Sequence, residues 1–196
     1  MKVFGLTGGM GSGKSHISRF FSLLNVPVYN ADERAKGCYE SDPDVRVAVV
    51  NLLGEEAYRS DGSLQRQFVA NRVFKDSALL RKLEGIIHPA VARDFSKWVK
   101  AQDSPYALKE AAILFETGGD QFLDGTVVVL SPDSLRMERI QKRDGLNPDE
   151  INLRWARQWD QSKLAERATF CIQNNERDLL IPQILTIHER IQSGGV

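Results

Sequence analysis

Cysteine is scarce. Cys38 and Cys171 are the only two in 196 residues; they form no C-x-x-C motif and lie in no Cys/His cluster with zinc spacing. A disulfide framework is therefore not expected, and both read as reduced thiols. Long apolar runs are missing too: none approaches the roughly 18 residues of a membrane span. The few apolar residues after Met1-Lys2 are too short for the hydrophobic part of a signal peptide. A soluble, cytoplasmic protein is expected. Nor is one sign of charge in excess, since Lys+Arg and Asp+Glu both total 26 and the formal net charge is zero. That balance gives no reason to expect a nucleic-acid or membrane partner. With no repeat and no low-complexity tract, 196 residues suffice for one α/β core with an inserted subdomain, but not for two average domains.

What is concentrated is glycine, in Gly5-Leu6-Thr7-Gly8-Gly9-Met10-Gly11-Ser12-Gly13-Lys14-Ser15. Residues 8–15 fit G-x-x-x-x-G-K-[ST]. Val3, Phe4 and Leu6 before them read as a buried strand; Ile17, Phe20, Phe21 and Leu24 after them fall on one helical face. Strand, loop, helix is the setting of a P-loop. Phosphate oxygens need several backbone N–H groups converging at close range, and glycines at 8, 9, 11 and 13 remove side chains that would obstruct this. The helix start adds N–H groups and a positive dipole end. Lys14 would then reach the β and γ phosphates, and the Ser15 hydroxyl would ligate Mg²⁺.

A second short strand at Val28-Tyr29-Asn30 ends at Asp32, which either faces the ligand crevice beyond the strand ends or caps the following helix. Residues 42–98 read as mostly helical: one helix is capped by Asp42 and stopped at Gly54, a second starts at Asp76 or Ser77, and a third is opened by Pro89. So much helix between two strands argues for an inserted helical subdomain over residues 35–88. Read alone, His88 before Pro89 is a turn or capping residue. Residues 106–115 read as the third strand, placing Glu116 at its end as a site carboxylate or a solvated loop acid. The β-branched run at 126–130 reads as a strand buried on both faces, with Ser131 capping and Pro132 opening the next helix. That helix carries Arg136, Arg139 and Arg143 as a stripe, and a second, carrying Arg154, Arg157 and Gln158, follows the break at Gly145. The pair reads as a mobile lid over phosphates or as a charged solvent face. Phe170-Cys171-Ile172 is the last strand, and a closing helix follows.

With these residues in hand, the chain resembles the dephospho-CoA kinase family, essentially end to end. The resemblance rests on the P-loop, Ala31-Asp32, Leu83-Glu84 with His88-Pro89, Leu114-Phe115-Glu116, Arg139, Arg143, Arg154 with Gln158, and Asn174. It implies a P-loop NTPase fold of the α/β class: a three-layer core with a parallel five-stranded sheet (1–34, 89–134, 160–196), a helical CoA-binding region (35–88) and a helical lid (135–159). The implied reaction is phosphoryl transfer from ATP, with Mg²⁺, to the ribose 3′-hydroxyl of dephospho-CoA. Implied catalytic residues are Lys14, Asp32 and Arg139. ATP contacts fall to Gly8, Gly9, Met10, Gly11, Ser12, Gly13, Lys14, Ser15, His16, Arg143 and Asn174, with Ser15 as metal ligand. Acceptor contacts fall to Thr7, Asp32, His88, Leu114, Glu116 and Arg154. Three positions depart from the family pattern: Asn30 for a usual Asp, Ala112 for a usual Pro and His16 for a usual hydroxyl residue. The rival readings are a nucleoside monophosphate kinase, and a GTP-dependent switch, against which the lack of N-K-x-D and D-x-x-G counts.

Overall fold

Residues 1–73 and 76–195 are described by the structure, a computed structural model. The first apolar run becomes β1 (Lys2–Thr7), the central strand of a five-stranded parallel sheet. The others are β2 (Val28–Asn30), β3 (Tyr106–Glu110), β4 (Gly125–Leu130) and β5 (Phe170–Gln173), in the order β2-β3-β1-β4-β5. Alternation along β4 shows why its run is uniformly apolar. Val127 and Val129 pack with Ile17 and Phe21 of α1 (Lys14–Leu23) and Ile184, Ile187 and Ile191 of α9 (Leu180–Gln192), whereas Val128 points the other way onto Phe115 and Leu164. Leu164 belongs to α8 (Gln161–Arg167), a short helix that carries no strong sequence signal of its own. Each such burial contributes about 1.5–3 kcal/mol.

Two compact units result: Met1–Asn30 with Gln102–Val196, which holds the sheet, and Ala31–Ala101, which is helical. The helical unit consists of α2 (Ala31–Ser41), α3 (Pro43–Leu53), a 3-10 turn (Glu55–Ala57), α4 (Arg66–Val73) and α5 (Ser77–Lys100). It has its own core, in which Cys38, Val45, Val49, Leu53, Val69, Leu83 and Ile87 are buried. The Asp42 and Asp76 side chains cap α3 and α5 as their positions predict. In the sheet unit, α6 (Asp133–Asp144) and α7 (Pro148–Trp155) are the two charged helices, and an Asn147–Glu150 capping box starts the second.

Several elements differ from the sequence reading. No third helix opens at Pro89; α5 runs through it. Gly85, His88 and Pro89 all face solvent, so water can satisfy the carbonyl that the proline leaves without a donor, while Leu83, Ile87 and Ala90 hold the other face. The helical unit consequently extends from residue 31 to 101, beyond both ends of the 35–88 segment. The third strand ends at Glu110 rather than 115, because Glu110 pairs with Leu6 and Asn30, within a residue of where β1 and β2 stop. The Ala111 N–H still reaches Leu6 O at 3.1 Å, but β1 ends at Thr7 and β2 at Asn30, so neither continues alongside the residues that follow. Asp32 lies inside the first turn of α2 and is not its N-cap. Ser131 does not cap α6; its hydroxyl accepts from Arg139 Nη1 at 3.1 Å. Arg157 and Gln158 lie past the end of α7. Both cysteines are free thiols, and among the described residues no helix is long and apolar enough to cross a membrane.

Candidate active site

In an open parallel sheet, ligands bind beyond the carboxyl ends of the strands where the strand order reverses. Here β1 lies between β3 and β4, and the glycine loop leaves its carboxyl end directly after the buried Thr7. Gly13 precedes α1 with φ +92°, and no side chain caps that helix, so its first N–H groups remain for a ligand. The Lys14 ammonium folds back over the loop and donates to Gly8 O at 2.7 Å. Gly8, Gly9 and Ser12 are buried, Met10, Gly11 and Gly13 partly so, and Ser15 and His16 exposed. His16 packs edge-on against Phe20, with ring centroids 4.9 Å apart.

Two of the glycines lie tightly against side chains from outside the loop. A Cβ on Gly9 would collide with the Arg136 guanidinium, and one on Gly13 with the Asn174 amide. The loop is thus packed closely from outside against neighbouring side chains. Asn174 itself is buried; its Nδ2 donates to Ser12 O at 2.7 Å and its backbone N–H to Leu130 O at 2.8 Å. Among the described residues the buried Ser12 hydroxyl finds no hydrogen-bond partner.

Glu110 is the residue that the sequence reading passed over. It ends β3 beside β1, is 4 % exposed, and its Oε1 accepts from the Ser15 hydroxyl at 3.0 Å. Asn30 Nδ2 approaches its other oxygen at 3.5 Å. An aspartate at position 30 would set a second carboxylate against Glu110, whereas asparagine offers a donor, which gives that departure a local reason. The available signal was a carboxylate among apolar residues at a strand end, hidden because the strand was extended five residues too far.

The side chains that the sequence reading assigned to a lid differ in their surroundings. Arg136 is buried: its Nε donates to Met10 O at 2.9 Å, its Nη1 pairs with Asp133 at 2.8 Å, and the guanidinium lies 4.3 Å over the Trp155 ring. Arg139 reaches the loop side, bonded to Ser131 Oγ, to Asn174 Oδ1 at 3.4 Å and to Glu176 at 3.3 Å. Arg143 and Arg154 are exposed, and Arg143 forms a two-point pair with Asp144. The Asp144 partner holds the Arg143 guanidinium above its ordinary pKa and the arginine in turn holds the Asp144 carboxyl low. Gln158 accepts from Met10 N at 2.8 Å and donates to Ala112 O at 3.1 Å. A proline at 112 would carry the same carbonyl, so that departure removes no contact.

Of the acceptor candidates in the sheet unit, Leu114 is a core side chain, 1 % exposed, and can offer a ligand only its backbone. Glu116 Oε1 accepts from the Trp159 N–H at 2.8 Å, while its buried Oε2 has no partner among the described residues. In the helical unit, Asp32 is exposed in the first turn of α2, and His88 is exposed midway along α5, neither a turn nor a cap.

A family model described as dephospho-CoA kinase matches residues 2–178. The chain belongs to that family. It is 37 % identical over 194 residues to the dephospho-CoA kinase of Porphyromonas gingivalis, covering 98 % of this chain and 96 % of that protein. Among solved structures, TT1252 from Thermus thermophilus superposes with a TM-score of 0.85 at 27 % identity, over 98 % of this chain and 97 % of the other. The dephospho-CoA kinase of Campylobacter jejuni matches over the full length of both chains with a TM-score of 0.73; at 20 % identity it bears on the fold alone.

Proposed function

We infer that this chain transfers the γ-phosphoryl group of ATP to the ribose 3′-hydroxyl of dephospho-CoA in the cytoplasm, giving coenzyme A and ADP. Family membership over residues 2–178 carries this reading, and the loop at the end of β1 supplies the phosphate site it requires. The oxygen of the 3′-hydroxyl forms the new P–O bond, the bond to the β–γ bridging oxygen breaks, and the hydroxyl proton leaves. The loop N–H groups and Lys14 hold the phosphates, and Arg139 neutralises charge on the equatorial oxygens of the transferred group. Asp32 takes or orients the hydroxyl proton. Gly8 to His16, Arg143 and Asn174 serve the nucleotide; Thr7, His88, Glu116, Arg154 and the backbone at Leu114 serve the acceptor. In this reading the helical unit takes the pantetheine arm and residues 135–159 form the lid.

The donor set fits Mg²⁺. Ser15 and Glu110 offer two hard oxygens in mutual contact, and no group of three His, Cys, Asp or Glu that could hold a metal occurs among the described residues. Mg²⁺ takes few protein ligands and completes its shell with phosphate oxygens and water. Bound there, it would neutralise charge on the β and γ phosphates. Glu110→Gln is expected to raise the Mg²⁺ concentration for half-maximal activity by about tenfold or more. An unchanged Mg²⁺ titration would remove Glu110 from the metal site.

The deciding experiment offers dephospho-CoA, AMP and adenosine separately with Mg·ATP and locates the new phosphate. Binding energy from the pantetheine arm can be used to orient the ribose hydroxyl, so adenosine should lose turnover as well as affinity. Phosphate on the 3′-oxygen of dephospho-CoA is expected. Efficient conversion of AMP to ADP would establish a nucleoside monophosphate kinase instead.

A further inference from the structure

We propose that Arg136 and Gln158 are positioning residues that hold the P-loop in its phosphate-binding shape by gripping both polar groups of Met10. The Met10 N–H donates to Gln158 Oε1 at 2.8 Å, and the Met10 carbonyl accepts from Arg136 Nε at 2.9 Å. A loop residue whose two backbone groups are both committed to side chains from other elements has little freedom left. Neither side chain is loose. The Asp133 pair and the Trp155 face fix the Arg136 guanidinium, and the Ala112 carbonyl fixes the Gln158 amide.

Two further observations point the same way. Arg136 is 6 % exposed, and the acid it pairs with, Asp133, is itself exposed, so burial of the cation is poorly offset by that pair alone. The carbonyl of Met10 and the ring of Trp155 are further partners of the guanidinium. Gly9 and Gly11 are also in direct register with α6: a Cβ on the first would strike the Arg136 guanidinium, and on the second would come within 2.7 Å of the Arg136 carbonyl. The loop therefore lies directly on the helix that carries Arg136. A segment with glycine at 8, 9, 11 and 13 has more conformational entropy to lose on ordering than an ordinary loop. Fixing Met10 from both sides orders it before nucleotide arrives, and preorganised donors bind and stabilise phosphate better than donors that must first be arranged.

The inference rests on the loop being the ATP phosphate site, so the test reads ATP binding without acceptor. Gln158→Leu, Arg136→Lys and the double variant are titrated with Mg·ATP by calorimetry, and kcat and KM for each substrate are measured beside the melting temperature. The lysine keeps the charge but has no side-on Nε donor for Met10. Each single variant is expected to weaken ATP affinity about tenfold or more and to raise KM for ATP, with KM for the acceptor unchanged. The double variant should be far less than multiplicatively worse, because both side chains hold the backbone of one residue, Met10. Folded variants that bind ATP within about twofold of the wild type, whatever their melting temperature, overturn the proposal, as does full additivity. Should Arg136→Lys not fold, Gln158→Leu decides alone by the same affinity criterion. A wild type that binds ATP but leaves dephospho-CoA unmodified would defeat the acceptor assignment and leave this result standing.

Discussion

Lys14→Ala is expected to lower turnover by roughly 10²–10³-fold or more while the protein stays folded. The ammonium sits over the loop mouth, where it donates to the Gly8 carbonyl, and a P-loop lysine neutralises charge that develops on the β and γ phosphates during transfer. That interaction strengthens toward the transition state, so its loss falls on kcat and not only on ATP affinity. The structural cost is small by comparison. Lys14 is the first residue of α1, is not a core side chain, and the bond to Gly8 is worth about 1.5–3 kcal/mol at most. A steady-state assay beside thermal denaturation separates the two effects. A folded variant with wild-type turnover would remove the P-loop assignment.

Asp32→Asn is the second large effect. Asparagine keeps the size of the side chain but cannot accept a proton, so turnover should fall by roughly 10²-fold or more if Asp32 handles the ribose hydroxyl proton. The structure sharpens the control. Asp32 is a first-turn acid of α2 rather than its N-cap, so its contribution to stability comes through the helix dipole and amounts to about 0.3–1 kcal/mol. The melting temperature should therefore hardly move. Equal turnover of the two proteins would leave Asp32 as a helix-terminus charge and nothing more.

The parts of the fold that were legible were those with local causes. The spacing of Ile17, Phe20, Phe21 and Leu24 marks α1, the uniform β-branched run marks β4, and Asp42, Asp76 and Gly54 mark helix ends by the hydrogen bonds or backbone angles those positions need. The errors share a different cause. The extent of β3 depends on where β1 and β2 stop, and whether Pro89 breaks a helix depends on which face of α5 it lands on. Neither is written within a few residues of the position concerned.

The candidate site divides in the same way. The phosphate loop, its lysine and its serine were determined by the sequence alone, because phosphate recognition is done by backbone groups of one contiguous segment whose residue types are dictated by close approach. The contacts of Glu110, Arg136 and Gln158 were decided only by tertiary structure. Glu110 meets Ser15 across 95 positions of chain, and the Met10 backbone meets side chains 126 and 148 positions away. Arg136 lay in the stripe with Arg139 and Arg143, and helical spacing could not separate them. The helix buries the first against the glycine loop, turns the second toward Asn174, and leaves the third in solvent, since residues three and seven apart share a face only approximately and a packed loop covers part of it.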